Sequence, residues 1–257
     1  MRKLIAEKLA DRPENLICAT LLTGRYDVNR NEQLSEDNFE LVREWYNSVI
    51  RLNMRGVIFH NTFSEKTCTQ FGNEHVTFMS VNFDKQLNAN VFRYLVYQEF
   101  IETYAAFLNA LFVTDSADVE VVMNPFNQPL FVQNPTALFC GDEPKLLDNT
   151  WMINHSTHLR NTVPGFGTYE AANQHKTLLN CGVIGGTLQV MQPLMNELAT
   201  LHRQYTSQNT TPYTLDMGAF NYVARTRFGT QLLHGAPVNT IFKGYEADRT
   251  NCWFRHK

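Results

Sequence analysis

The stretch NALFVTDSADVEVVMNPF, Asn109 to Phe126, decides how this chain folds and where its chemistry sits. The apolar run Ala110 to Val113 reads as a buried strand leading into Thr114 and Asp115, and a second carboxylate, Asp118, follows two small residues later. Two acids at a strand end can grip a divalent cation through oxygen, and a bound cation can in turn grip a diphosphate. Read alone, Asp115 is equally well a turn residue, because Asp is favoured between periodic segments.

Upstream, Asn90 to Leu108 has helical spacing and many aromatics, which fill cores. Arg93 is a cation on this mainly apolar helix, where a long stem often lies along apolar surface. Further back, Leu16 to Leu22 is a buried strand that opens into Thr23-Gly24-Arg25-Tyr26, the kind of loop where α/β proteins hold nucleotides. There is no GxGxxG, which disfavours a dinucleotide site. Phe39 to Leu52 has helical periodicity, Val57 to Phe59 follows Gly56 as a second strand, and His75 to Val81 alternates as a third. Strands alternating with helices predict a largely parallel sheet.

Downstream, Leu138 to Cys140 reads as a short strand. Asn154 to Lys176 reads as a long polar loop, mobile and bordering a site, in which His155, His158 and His175 lack metal spacing. LLNCGVIGG, Leu178 to Gly186, is a glycine-interrupted strand, followed by a helix from Leu188 to about Leu201. A polar linker, Thr206 to Thr211, precedes an amphipathic helix from Asp216 to about Arg227, whose first acid suits an N-cap. The tail Trp253 to Lys257 is basic, and such an end is usually solvated.

With 44% hydrophobic and 18% charged residues, the 257-residue chain is an ordinary globular protein with enough length for a sizeable core. A net charge of −3 gives no general attraction to nucleic acid or acidic membranes. The five scattered cysteines form no CxxC pair, so buried thiols in a reducing compartment are expected. The first residues form a short amphipathic helix without the apolar core of a signal peptide, and no stretch reaches a membrane span. A cytoplasmic location follows as an expectation.

Taken in order, these stretches resemble the nucleotide-sugar glycosyltransferases of the GT-A fold, whose metal motif has the form Thr-Asp-x-x-Asp-Val, then Asn-Pro-Phe. Here that is Thr114 to Val119, then Asn124 to Phe126. The likeness takes in Thr23, Gly24, Tyr26 and Asp27, then Arg93, then Asn180, Gly182, Gly185 and Gly186, then Asp216 and Asn221. It departs at Met217 and Ala117, where the family often has a glutamine and a basic residue.

The resemblance implies a single α/β domain of GT-A (Rossmann-like) type over residues 1–257, its mixed, mostly parallel sheet flanked by helices. The nucleotide-binding half would span about 14–126 and the acceptor half about 127–257. It further implies Mn²⁺ or Mg²⁺ held by Asp115, Asp118 and His256, and a donor held by Thr20, Thr23, Gly24, Tyr26, Arg93, Thr114, Asp115, Ser116, Asn180, Gly182, Gly185, Gly186, Arg255 and Lys257. Asp216 would be the catalytic residue on the acceptor side. The partners expected are a nucleoside-diphosphate sugar and a glycan or other hydroxyl acceptor. A sugar nucleotidyltransferase and a non-catalytic carbohydrate-binding module are the rival readings; the first would need a Gly-rich, basic loop after the opening strand, for which Thr23-Gly24-Arg25 is thin.

Overall fold

The computed structural model describes residues 14–24, 26–27, 32–206, 215–244 and 251–257. The amphipathic helix expected at the N-terminus, Arg25 and the linker beyond Thr206 lie outside these residues. In chain order the strands are β1 (Glu14–Leu21), β2 (Tyr26–Asp27), β3 (Glu32–Gln33), β4 (Arg55–His60), β5 (Val76–Ser80), β6 (Leu108–Asp115), β7 (Val119–Val121), β8 (Leu138–Leu146), β9 (Thr177–Thr187), β10 (Leu232–His234) and β11 (Phe254–His256). Seven of them form one sheet in the order β10-β8-β9-β6-β1-β4-β5. All pairings are parallel except those of β9, which runs against both β6 and β8.

Helices cover both faces, so the central strands must be apolar on both sides. In β1, Leu16 and Cys18 join one core with the helices Ala89–Tyr104, Leu188–Tyr205 and Asp216–Phe228. Their strand neighbours Ile17, Ala19 and Leu21 join the other, with Trp45, Phe112 and Trp253. This alternation is the period-two geometry of a strand. The expected α/β class and mostly parallel sheet are therefore observed.

The glycines of β9 permit its close approach to β6. A β-carbon on Gly185 would lie 2.1 Å from the ring of Phe112, so no other residue fits there without displacing that ring.

Several local expectations change. The helical pattern at Phe39 begins as a 3₁₀ turn, Phe39–Val42, and only then becomes the helix Arg43–Arg51. β8 extends well past Cys140, because its polar half Gly141 to Leu146 still pairs irregularly with β9. The long polar loop is instead three short helices, Thr150–His155, Thr157–Thr162 and Phe166–Asn173. Arg160 ties them together, donating to Glu170 at 2.5 Å and to the carbonyl of Ile153 at 3.0 Å, so this stretch is helical rather than an irregular loop.

The basic tail is not a solvated end: Trp253, Phe254 and His256 are buried. β11 pairs antiparallel with β7, His256 opposite Val119, and the Lys257 amide donates to the Asp118 carbonyl at 2.9 Å. This small ribbon carries the last residues of the chain to the acids that follow β6.

Candidate functional site

The carboxyl ends of β1 and β6, the first half of β9 and the polar half of β8 open into one cavity of about 900 Å³. That volume is near the top of the range for small-molecule sites, roughly 300–1,000 Å³. Across its floor the contributing strands follow the sheet order: Glu143 and Lys145 from β8, Asn180 to Gly182 from β9, Asp115 from β6, Thr20 and Leu21 from β1.

At its centre, Asp115, Asp118 and His256 each offer a ligand atom, and these atoms lie within 4.8 Å of one another. His256 Nε2 is 3.7 Å from Asp115 Oδ2. Burial lowers the pKa of His256 to about 4, with Asp115 opposing and Arg93 and Lys243 reinforcing the shift. The imidazole is therefore neutral near pH 7, the form that ligates metals. Two carboxylates and a neutral imidazole suit Mn²⁺, and Mg²⁺ through the oxygens. Among the described residues, no other group has this geometry. Gly182 makes the cluster possible, since a β-carbon there would lie 2.2 Å from His256 Cε1 and 2.8 Å from Asp115 Oδ2.

Arg93 is not a surface cation. It is buried and donates to Asp115 Oδ1 at 2.5 Å and to Asp216 Oδ2 at 3.0 Å. Burial alone would lower its pKa, but Tyr94, Asp115, Cys181 and Asp216 hold it well above the ordinary arginine value. Cys181 Sγ also donates to Asp216 Oδ2, at 3.3 Å, and burial keeps that thiol protonated, its pKa raised further by Asp216.

Asp216 is the first residue of its helix, yet it does not cap it: Leu215 takes the capping position, without a side-chain bond. The carboxylate turns to Arg93 instead. Asn221, one turn further on, accepts from the Leu179 amide at 3.0 Å and donates to the Leu179 carbonyl at 2.9 Å. That double bond to β9 fixes the helix, and with it Asp216, against the site.

Of the remaining residues expected to touch a donor, Thr20, Ser116, Asn180 and Lys257 line the cavity. Ser116 Oγ donates to the Thr20 carbonyl at 3.0 Å, and Asn180 accepts from the Gly182 amide at 2.7 Å while donating to Glu143 at 3.0 Å. Lys257 bonds Glu44.

Seven others are placed elsewhere. Thr114 is buried and accepts from Trp45 Nε1 at 2.7 Å. Thr23 is buried, its amide donating to Asn61 and its hydroxyl 2.6 Å from that of Thr62. Gly24 forms a turn with φ +82° beside Lys85 and Glu36, and Tyr26 is half exposed on β2, which pairs antiparallel with β3. Gly185 and Gly186 pack against Phe112 and Val190. Arg255 pairs with Glu120 at 2.5 Å, away from the cavity.

Other lining residues carry no site role in the sequence, His155 being expected only as a loop residue. Lys243 faces His256 from beside Phe242, whose ring lies 4.4 Å from that of His256. Trp151 and His155 stack with ring centres 3.7 Å apart. Their i,i+4 spacing after the capping Asn149 was the available signal. Nothing in the sequence marks Lys243 or Leu34 as cavity residues.

Set against known proteins, the chain matches no protein-family model and no curated sequence.

Proposed function

We propose that this protein is a metal-dependent glycosyltransferase of GT-A type, moving a sugar from a nucleoside diphosphate to a hydroxyl acceptor. The observation that carries the reading is the Asp115, Asp118, His256 cluster at the centre of a cavity large enough for a nucleotide sugar. The mostly parallel sheet, with its acids at a strand's carboxyl end, supports it, as does the resemblance of the Thr114 to Phe126 motif.

In the transfer, the bond from the anomeric carbon to the diphosphate oxygen breaks and its electron pair leaves with the diphosphate. A bond from the acceptor oxygen to that carbon replaces it, and the acceptor's proton passes to a base. A cation held by Asp115, Asp118 and His256 would act as a Lewis acid on the leaving group. Lys243 and Lys257 flank the cluster and offset diphosphate charge, Lys257 by exchanging Glu44 for phosphate. Leu21, Leu22 and Leu34 offer an apolar wall for the nucleoside at the β1 end. Arg93 holds Asp115 and Asp216 in fixed orientation, and Asp216 serves the acceptor side, as base or as anchor for the attacking hydroxyl.

Calorimetry with UDP and GDP, with and without Mn²⁺, tests the reading. Binding should require the cation and should weaken about ten-fold or more in Asp118→Asn. Full affinity in the presence of a chelator would remove the metal from the function. A hydrolysis screen of nucleotide sugars with Mn²⁺ then identifies the donor. Asp216→Asn should keep nucleotide affinity while transfer slows sharply; near-normal transfer would dismiss Asp216 from the chemistry.

A further inference from the structure

The cavity is unlike at its two ends. At the β1 end its wall is aliphatic, from Leu21, Leu22 and Leu34. At the β8 end it presents Trp151 and His155, stacked ring on ring with an interplanar angle of 23°. The strands β9 and β6 lie between β8 and β1, so the two strands that border these ends are three strand spacings apart, ~14 Å at ~4.8 Å each. The ligand cluster sits between them.

From this we infer that the Trp151–His155 platform is the acceptor subsite and that its occupant is a carbohydrate, seated by the apolar face of a pyranose ring. The inference rests on the glycosyltransferase reading and names the acceptor class for the same site.

Three observations carry it. First, the indole is backed by the imidazole and is 39% exposed, so a flat surface is held ready rather than folded into the core. A pyranose with its axial C–H bonds on one face covers such a surface well, whereas its hydroxyls point outward from the ring edge.

Second, polar groups line the same cavity. Glu143, buried in the cavity floor, accepts from Asn180 Nδ2 at 3.0 Å, and the ammonium of Lys145 lies 3.4 Å from its other oxygen. A carboxylate and an ammonium offer acceptor and donor to a ring's hydroxyls. Third, Asp216 and Met217 line the same cavity, so a sugar seated on the platform shares its chamber with the carboxylate assigned to the acceptor side.

The molecule supplies its own reporter. Of its three tryptophans, Trp45 and Trp253 are fully buried and Trp151 alone is exposed, so an emission change that Trp151→Phe abolishes reports this platform. The experiment titrates methyl glucoside, galactoside and mannoside and the common disaccharides into the protein holding UDP and Mn²⁺, and repeats the titration with Trp151→Phe. In parallel, transfer to the responding glycosides and donor hydrolysis by water are measured for wild type, Trp151→Phe and Trp151→Ala.

At least one glycoside should give a saturable change in wild type that is absent in Trp151→Phe. Trp151→Ala should lose about ten-fold or more in kcat/KM for transfer, mostly through KM, with Phe intermediate and hydrolysis of the donor preserved. No response to any glycoside, equal transfer by Trp151→Ala, or an emission change of the same size from UDP alone would overturn the proposal; the last would put the nucleobase on the platform. A glycoside response in a protein that neither binds nor hydrolyses a nucleotide sugar would instead leave the subsite standing and sink the transferase reading.

Discussion

Two arginine–carboxylate clusters, whose acids Asp115 and Glu120 lie close in sequence, behave as opposites. In one, a single cation, Arg93, sits between two anions, Asp115 and Asp216, with side-chain exposures of 7%, 34% and 6%. In the other, a single anion, Glu120, sits between two cations, Arg51 and Arg255, with 11%, 55% and 21%. The family resemblance implies a donor contact for Arg93 and Arg255 alike, yet only Arg93 reaches the cavity. Strand parity explains the difference. Arg255 precedes His256 on β11, and successive side chains on a strand point to opposite faces. With His256 turned to the acids, Arg255 must turn to Glu120, its partner across the ribbon. Nearness in sequence does not decide membership of a site; the side of the backbone does.

The comparison breaks most directly at the two arginines. Arg93→Met removes the cation from buried Asp216 and from the partly exposed Asp115, and should cost ~3–5 kcal/mol, the usual consequence of removing one partner from a buried ion pair. Arg255→Met leaves Glu120 paired with Arg51 and should cost ~1 kcal/mol or less. Urea midpoints measure both, and equal losses would erase the distinction. Gly182→Ala should follow at ~1–3 kcal/mol, because its β-carbon overlaps His256 and Asp115, and Mn²⁺-dependent nucleotide binding should fall with it. Gly167→Ala, whose nearest neighbour is 3.6 Å away, is the control and should bind normally.

Asp118→Asn and Glu120→Gln sharpen the contrast on the two sides of the ribbon. The first should lose about ten-fold or more in Mn²⁺-dependent UDP affinity, ~1.4 kcal/mol, with unchanged melting. The second should melt earlier while binding UDP as before.

The smallest effect is a pH dependence behind Arg93. His202 stacks on Tyr94, next to Arg93, and burial, with Arg93 adding to it, lowers its pKa to about 3. The unfolded chain takes up this proton first, so the stability contributed is fully present above about pH 6.5 and is lost as pH falls toward 3. At pH 6 the loss is below ~1 kcal/mol. Urea titrations from pH 7 downward should show a steeper decline in wild type than in His202→Gln. Parallel curves would mean that His202 does not titrate in this range.

Much of the sheet was legible because apolar runs bounded by turn residues announce buried strands, as in Leu16 to Leu22 and Ala110 to Val113. β10 and the polar half of β8 were not, since sheet-edge pairing needs backbone groups rather than an apolar pattern. The short helices after Asn149 were lost for a related reason: each is little more than a turn or two, too short for a periodic stripe. At the site, Asp115, Asp118 and Asp216 announced themselves as acids at element ends. The opposite fate of Thr114 follows from Trp45, 69 positions away in sequence, which no local reading of the motif contains. Lys243 likewise owes its place to tertiary packing rather than to any local motif.

β9 acts as a ruler laid across the sheet. Because it runs against its neighbours, it begins at the cavity and ends at the opposite edge, so one segment sets the fit at both. Asn180 and Gly182 are an even step apart and serve the crest, and Gly185, three residues beyond, meets Phe112 deep in the core. Deleting a single residue between Gly182 and Gly185 would invert every later side chain relative to the sheet. Apart from its glycines, where an added β-carbon meets a neighbour, this strand should absorb a substitution more readily than a change of length. The tolerance of the chain to insertion and deletion should therefore be lowest here, at a place that makes no claim to chemistry of its own.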